Sequence, residues 1–247
     1  LQLLLLVSYI AVHRHYRPFS LLSRLEAPDW KTILGLLKVG LPIAVAIFVE
    51  GSLFVGAALL IGRLGPVPAA AHLVAINFSA LLFMIPIGLA SAISIRVGNA
   101  VGRRDMEGAR YAGRIGLVIV LFFQSISASI LFFFPAWVVG IYTDDAVVAP
   151  LAVSLLFYAA IFQYPDGLQM VMAGALRGYK DTRMPMLYMF ISFWIVGMTL
   201  GYNLTFNREM GPAGMWIGMI AGLTVGAALM LRRFHHTSNR YITAQAH

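Results

Sequence analysis

No cysteine occurs among the 247 residues, so disulfide frameworks, thiol chemistry and cysteine-built metal sites are excluded. Charge is scarce. Asp, Glu, Lys and Arg make up 11% of the chain, where a soluble domain carries about 25%. The period-2 alternation of outer-membrane strands is missing as well, which argues against a transmembrane barrel. Nothing resembles a nucleophile with its base, a phosphate-binding loop or a zinc motif, so an enzyme is not expected. No cofactor is implied.

What is present is apolar. Hydrophobic residues are 60% of the chain, and they recur in runs of about 20, each enough to cross a hydrocarbon core of about 30 Å. Without water in that core, a helix satisfies its own backbone. The fold class is therefore all-α, a polytopic membrane helix bundle. Six complete spans are expected at roughly 39–62, 70–95, 115–139, 147–173, 185–206 and 212–231. The opening run LQLLLLVSYIAV (1–12) covers only about 18 Å of helix, and it reads as the end of a preceding transmembrane helix whose beginning is missing. Residues 13–38 read as a polar linker, 39–231 as a six-helix lobe, and 232–247 as a tail.

The formal net charge is +8. In a soluble protein this would suggest nucleic acid; here its placement matters more, and no nucleic-acid partner is expected. Of the 18 Lys and Arg residues, all but Arg63 and Arg208 fall in alternate connections. That is the positive-inside pattern. It puts 13–38 and the C-terminus in the cytoplasm, with membrane lipids around the spans. The outer turns hold GPVP (65–68) and GPAG (211–214), where a proline can start a helix at no cost. The inner turns hold GRRD (102–105) and GYKD (178–181), each with a Gly to end one helix and an Asp to cap the next. These paired turns hint at an internal repeat. Gly214, Gly218, Gly222 and Gly226 form a small-residue ridge suited to close packing inside the bundle.

Eight of the ten acidic residues fall in connections or at helix ends. Glu50 and Asp166 lie inside apolar runs, where a charge costs roughly 2.5–3.5 kcal/mol on insertion scales. No Lys or Arg lies deep in a span to neutralise them. Each can then be protonated, bind an external cation, or hydrogen-bond to polar neighbours. The first two make a site that exchanges H⁺, Na⁺ or an organic cation. The third is a carboxylic acid serving helix packing. Pro165 should kink its helix. Gln163, Tyr164 and Gln169 add polar groups within a turn of Asp166, and broken helices at mid-membrane build many transporter sites. Asn77 either lines a cavity or bridges two helices. Phe48, Phe54, Phe78, Phe83, Tyr158 and Phe162 belong to core or lipid, with some able to stack on a cation. Asp145 reads as a solvated helix cap that could also meet departing cations. His72, at the start of a span, reads as interfacial.

The runs KVGLPIAVAIFVEGSLF (38–54), MIPIGLASAISIRVGNAVGRRD (84–105) and QYPDGLQMVMAGALRGYKDTRMP (163–185) resemble the second half of multidrug and toxic compound extrusion transporters, the MATE family, in its NorM-like bacterial branch. The resemblance covers nearly the whole chain. It implies the C-terminal lobe of a twelve-helix, two-lobe fold in the bacterial inner membrane. It also implies an antiporter that exports cationic, often aromatic drugs in exchange for Na⁺ or H⁺. Glu50 and Asp166 match the acidic positions of that family's cation site, as ligands of Na⁺ where sodium is the coupling ion. Phe162, Gln163, Tyr164, Gln169, Asn77 and Asp145 are the candidate cavity or substrate contacts. The N-terminal lobe of the same polypeptide would be the missing partner. A lipid-linked sugar flippase of the same superfamily and an ion channel are the alternative readings. The flippase would need basic residues facing its cavity.

Overall fold

The computed structural model describes residues 8–9 and 29–245. Expectations for the rest of 1–28 lie outside the described residues. Two compact units are separated by contacts, Leu1–Lys38 and Val39–His247. In the first, the Asp29 carboxylate accepts hydrogen bonds from the Thr32 hydroxyl and the Lys31 amide. Those bonds hold it below the usual carboxylate range, Thr32 contributing most, and they cap the helix that follows.

The described residues of the second unit are helical throughout, with short turns. We label the elements α1 (Trp30–Gly62, which starts in the first unit), α2 (Pro66–Gly102), α3 (Met106–Phe133), α4 (Pro135–Gly140), α5 (Val148–Gly178), α6 (Arg183–Asn207) and α7 (Pro212–Gln245). All but α4 are long and apolar enough to cross a membrane. The six expected spans are present, with three changes at their ends. The first begins at Trp30, inside the stretch expected as linker, because WKTILGLLK contains no breaker after the Asp29 cap. The third is cut at Phe134, where Pro135 starts the separate α4. The sixth runs to Gln245, so the expected tail is largely helix. Its Phe234 is buried against Gly113, and Tyr179 stacks obliquely on Phe234 and Tyr241.

The turns follow their residues. Pro66 and Pro212 start α2 and α7, each after a glycine with positive φ. The two inner turns repeat one hydrogen-bonding pattern. The amides of Arg104 and Asp105 donate to the carbonyls of Val101 and Ala100; those of Lys180 and Asp181 donate to Arg177 and Leu176. The left-handed residue is Arg104 in one and Lys180 in the other, the Schellman arrangement without glycine at its usual place. The two acids then diverge. Asp105 caps α3 through the Gly108 amide at 2.8 Å. Asp181 does not cap α6; it accepts from Arg233 Nε at 2.6 Å and from Thr237, tying the turn to α7.

α5 is the centre of the second unit, packed against α2, α3 and α7. It runs as one continuous helix with Pro165 inside it. α6 is irregular instead. Ile191–Met198 and Asn203–Asn207 are wound as π-helix, and the Thr199 hydroxyl donates to the Trp194 carbonyl five residues back. The glycine ridge of α7 packs inside the bundle. A Cβ at Gly222 would sit 2.7 Å from the Ser192 carbonyl oxygen, and one at Gly214 2.6 Å from the Thr205 nitrogen.

Candidate functional site

Glu50 stands midway along α1 and Asp166 midway along α5, one residue after Pro165. Both are buried, at 8% and 2% exposure, and both line one cavity of about 350 Å³. Each has a buried oxygen, Glu50 Oε1 and Asp166 Oδ1, without a hydrogen-bond partner among the described residues. The packing reading of the two acids needs such partners, so it loses its main support. The carboxylates also feel each other's charge.

The rest of the cavity wall is apolar and aromatic. Phe54 and Phe162 meet edge to face with ring centroids 6.0 Å apart, and Phe83, Ile47, Ile76 and Ser79 complete most of the lining. Ser79 is buried, but its hydroxyl donates to the Ala75 carbonyl at 2.8 Å. Phe162 also packs edge-on against Trp216, which in turn meets His72. His72 is therefore buried, contrary to the interfacial place expected for it, because Trp216 of α7 covers it. Two carboxyl groups and the phenyl rings of Phe54, Phe83 and Phe162 face the same cavity. Carboxylate oxygens and the faces of phenyl rings both attract a positive group.

Of the other expected contacts, only Phe162 joins the two carboxylates. Gln163 turns toward α3, where Gln124 Nε2 donates to its backbone carbonyl at 2.5 Å. Gln169 is buried against Gly226 of α7. Tyr164 lines a separate groove with Ala128 and Phe132, and its hydroxyl donates to Ser125 at 3.3 Å. Asn77 is exposed, one residue from the lining Ile76. Asp145 is exposed and caps α5 by accepting from the amides of Val147 and Val148. A helix turns by about 100° per residue. Four polar residues within seven positions of α5 therefore spread over several neighbours instead of one cavity.

One residue was missed. Arg177 closes the last turn of α5 and lines two further chambers together with Glu50. Its position had assigned it to a connection. Side chains tilt toward a helix's N-terminus, so this one reaches back into the bundle. The expectation that no Lys or Arg lies where it could neutralise an acid is corrected for Glu50, which shares those chambers with Arg177.

The MatE family model matches residues 42–203, a stretch that includes Glu50 and Asp166. Probable multidrug resistance protein NorM of Xanthomonas campestris pv. campestris is 52% identical over 238 residues, covering 96% of this chain and 52% of that protein. Multidrug resistance protein PmpM of Pseudomonas aeruginosa is 41% identical over 231 residues, covering 92% and 48%. The chain thus spans about half the length of the curated relatives it matches. The crystal structure of the eukaryotic MATE transporter AtDTX14 shares the fold at a TM-score of 0.84 and 21% identity, over 98% of this chain and 55% of that one. The chain is a multi-span membrane protein and belongs to the MatE family, the multidrug and toxic compound extrusion transporters.

Proposed function

We propose that the chain forms the C-terminal lobe of a bacterial inner-membrane antiporter that exports cationic, often aromatic compounds in exchange for Na⁺ or H⁺. The observation that carries this is the shared cavity, with Glu50 and Asp166 facing it among Phe54, Phe83 and Phe162, each acid keeping a buried oxygen unpaired. The names of the relatives, multidrug resistance proteins, support the same reading. A flippase for anionic lipid-linked sugars would need basic groups facing its cavity, and among the described residues that line these chambers Arg177 is the one base. Two acids against one base leave the shared walls with a negative formal charge, which favours cations.

In this reading Na⁺ or H⁺ enters from outside and is held by the two carboxyl groups, while the drug cation is held among the rings. Each favours a different helix arrangement, and reciprocal changes in affinity couple them. A monovalent cation moving inward gains about 2.3 kcal/mol per 100 mV, which sustains roughly a fiftyfold drug gradient when one charge moves per cycle. The test is ethidium efflux by the complete transporter in vesicles. Glu50→Gln and Asp166→Asn are each expected to lower cation-driven efflux by about a hundredfold, or about 2.7 kcal/mol. Wild-type efflux in both variants would refute the proposal.

A further inference from the structure

Three chambers open along α1, and Glu50 lines all of them. Asp166 borders the one of about 350 Å³. Arg177 borders the other two, of about 40 and 550 Å³. None of these three is shared by Asp166 and Arg177. Glu50 therefore stands between a second acid on one side and a base on the other, and it feels the charge of both.

Neither Glu50 nor Arg177 is committed. The Glu50 Oε1 atom is buried without a partner. The Arg177 guanidinium is half-buried, makes no hydrogen bond and closes no ion pair among the described residues. Arg233 shows the contrast, since it is locked to Asp181 at 2.6 Å. Arg177 sits at the end of α5 nearest the cluster of Arg103, Arg104, Lys180 and Arg183, with Ser91, Ser94 and Thr182 around the same chambers. A guanidinium is always charged and more weakly hydrated than an ammonium group. It can therefore enter a partly apolar chamber that a hydrated lysine would resist.

We propose that Arg177 is a tethered cation that competes with the transported cation for Glu50 and so promotes its release. A cation held between Glu50 and Asp166 leaves Arg177 unpaired. When the guanidinium closes onto Glu50, one oxygen ligand is withdrawn and a positive charge is brought near, and both changes weaken the bound ion. Release then needs no external cation to neutralise Glu50, and the acid is not left bare in an apolar wall, a state that costs several kcal/mol. Arg177 acts through Glu50 and touches no substrate, so it is a positioning residue.

This inference rests on the carboxylate exchange site proposed above. Its test measures ethidium efflux by the complete transporter in vesicles, titrating Na⁺ at fixed pH and, separately, protons in Na⁺-free buffer. Arg177→Gln and Arg177→Met are expected to lower the half-saturating concentration of the coupling cation by about tenfold, within the usual range of coupling between sites. They should also slow turnover at saturation, because release is impaired. Arg177→Lys keeps the charge on a more strongly hydrated group, so its half-saturation should fall between those of the wild type and Arg177→Gln. An interfacial anchor would move neither number in this pattern. An unchanged half-saturation in Arg177→Gln and Arg177→Met overturns the inference, and so does failure of both to fold, which would place Arg177 in the scaffold. If Glu50→Gln abolishes cation dependence while the Arg177 variants are silent, this inference alone fails. If Glu50→Gln and Asp166→Asn both behave as wild type, the exchange site fails with it.

Discussion

The two carboxylates face one cavity from walls of different kinds. Asp166 stands on α5, whose backbone is pressed against its neighbours. A Cβ at Gly178 would lie 2.7 Å from that of Val97, and one at Gly167 2.5 Å from Gln124. Glu50 stands on α1, where Gly40, Gly51 and Gly62 have no neighbour within 4 Å of such a Cβ. From Val39 onward α1 is held by side chains, with Leu53, Ala57 and Ile61 buried, Met198 against Gly56, and a hydrogen bond from Trp194 to Ser52. One acid is fixed in the scaffold and the other is carried on a wall that can shift. A cation held between them is then sensitive to the position of α1, which is the property an alternating-access site needs.

The same substitution on the two walls should break this contrast most sharply if it is wrong. Gly174 of α5 lies so close to Ala90 that an added Cβ would meet backbone atoms at about van der Waals overlap. Gly174→Ala is expected to cost about 1–3 kcal/mol by overpacking, read as a lowered melting temperature of the purified transporter in detergent. Gly51→Ala meets nothing, and it should be neutral or stabilising by about 0.5–1 kcal/mol, the usual gain on replacing a helix-interior glycine. Equal losses in both would mean that α1 is packed as tightly as α5.

Motion can be followed next by single thiols placed in this chain, which has no cysteine of its own. Ile47 is exposed on α1 and lines all three chambers, while Gln169 is buried on α5. With the coupling cation added, the labelling rate of Ile47→Cys should change by about fivefold, the low end of a typical coupling. That of Gln169→Cys should stay constant. A constant rate at both positions would mean a static wall.

Much of this was legible before any coordinates. The bilayer imposes long apolar runs, and a missing N–H makes proline welcome at a helix start, so the six spans and the starts at Pro66 and Pro212 followed from composition and punctuation. Glu50 and Asp166 stood out because a lone acid in an apolar run has few explanations. The partners of the other polar residues were hidden because they depend on which helix lies across from each face. Gln163, Tyr164 and Gln169 adjoin Asp166 in sequence yet face α3, a separate groove and α7. Asp105 and Asp181 occupy matching turn positions, but only the second meets an arginine, supplied 52 residues later by α7. Arg177 was hidden for a different reason. Its backbone belongs to a helix end while its long side chain belongs to the interior, and a charge count by position sees only the backbone.

The finest test concerns the tether that holds α1 to α6. Trp194 lies in the π-wound stretch of α6, and its indole Nε1 donates to Ser52 Oγ at 3.1 Å. Ser52 is two residues from Glu50, and its own hydroxyl donates to the Val49 carbonyl at 2.7 Å. Trp194→Phe removes the donor and keeps an aromatic ring, so it should cost about 1 kcal/mol, the net worth of one hydrogen bond. Ser52→Ala should cost about the same, and the double variant little more than either alone, because both remove one interaction. The informative readout is amide exchange. Loss of the tether should raise exchange along α1 near Glu50 and leave α5 near Asp166 unchanged, since local opening follows local contacts. If exchange rises equally in both helices, α1 and α5 open as one unit, and the separation between a fixed and a movable carboxylate is lost.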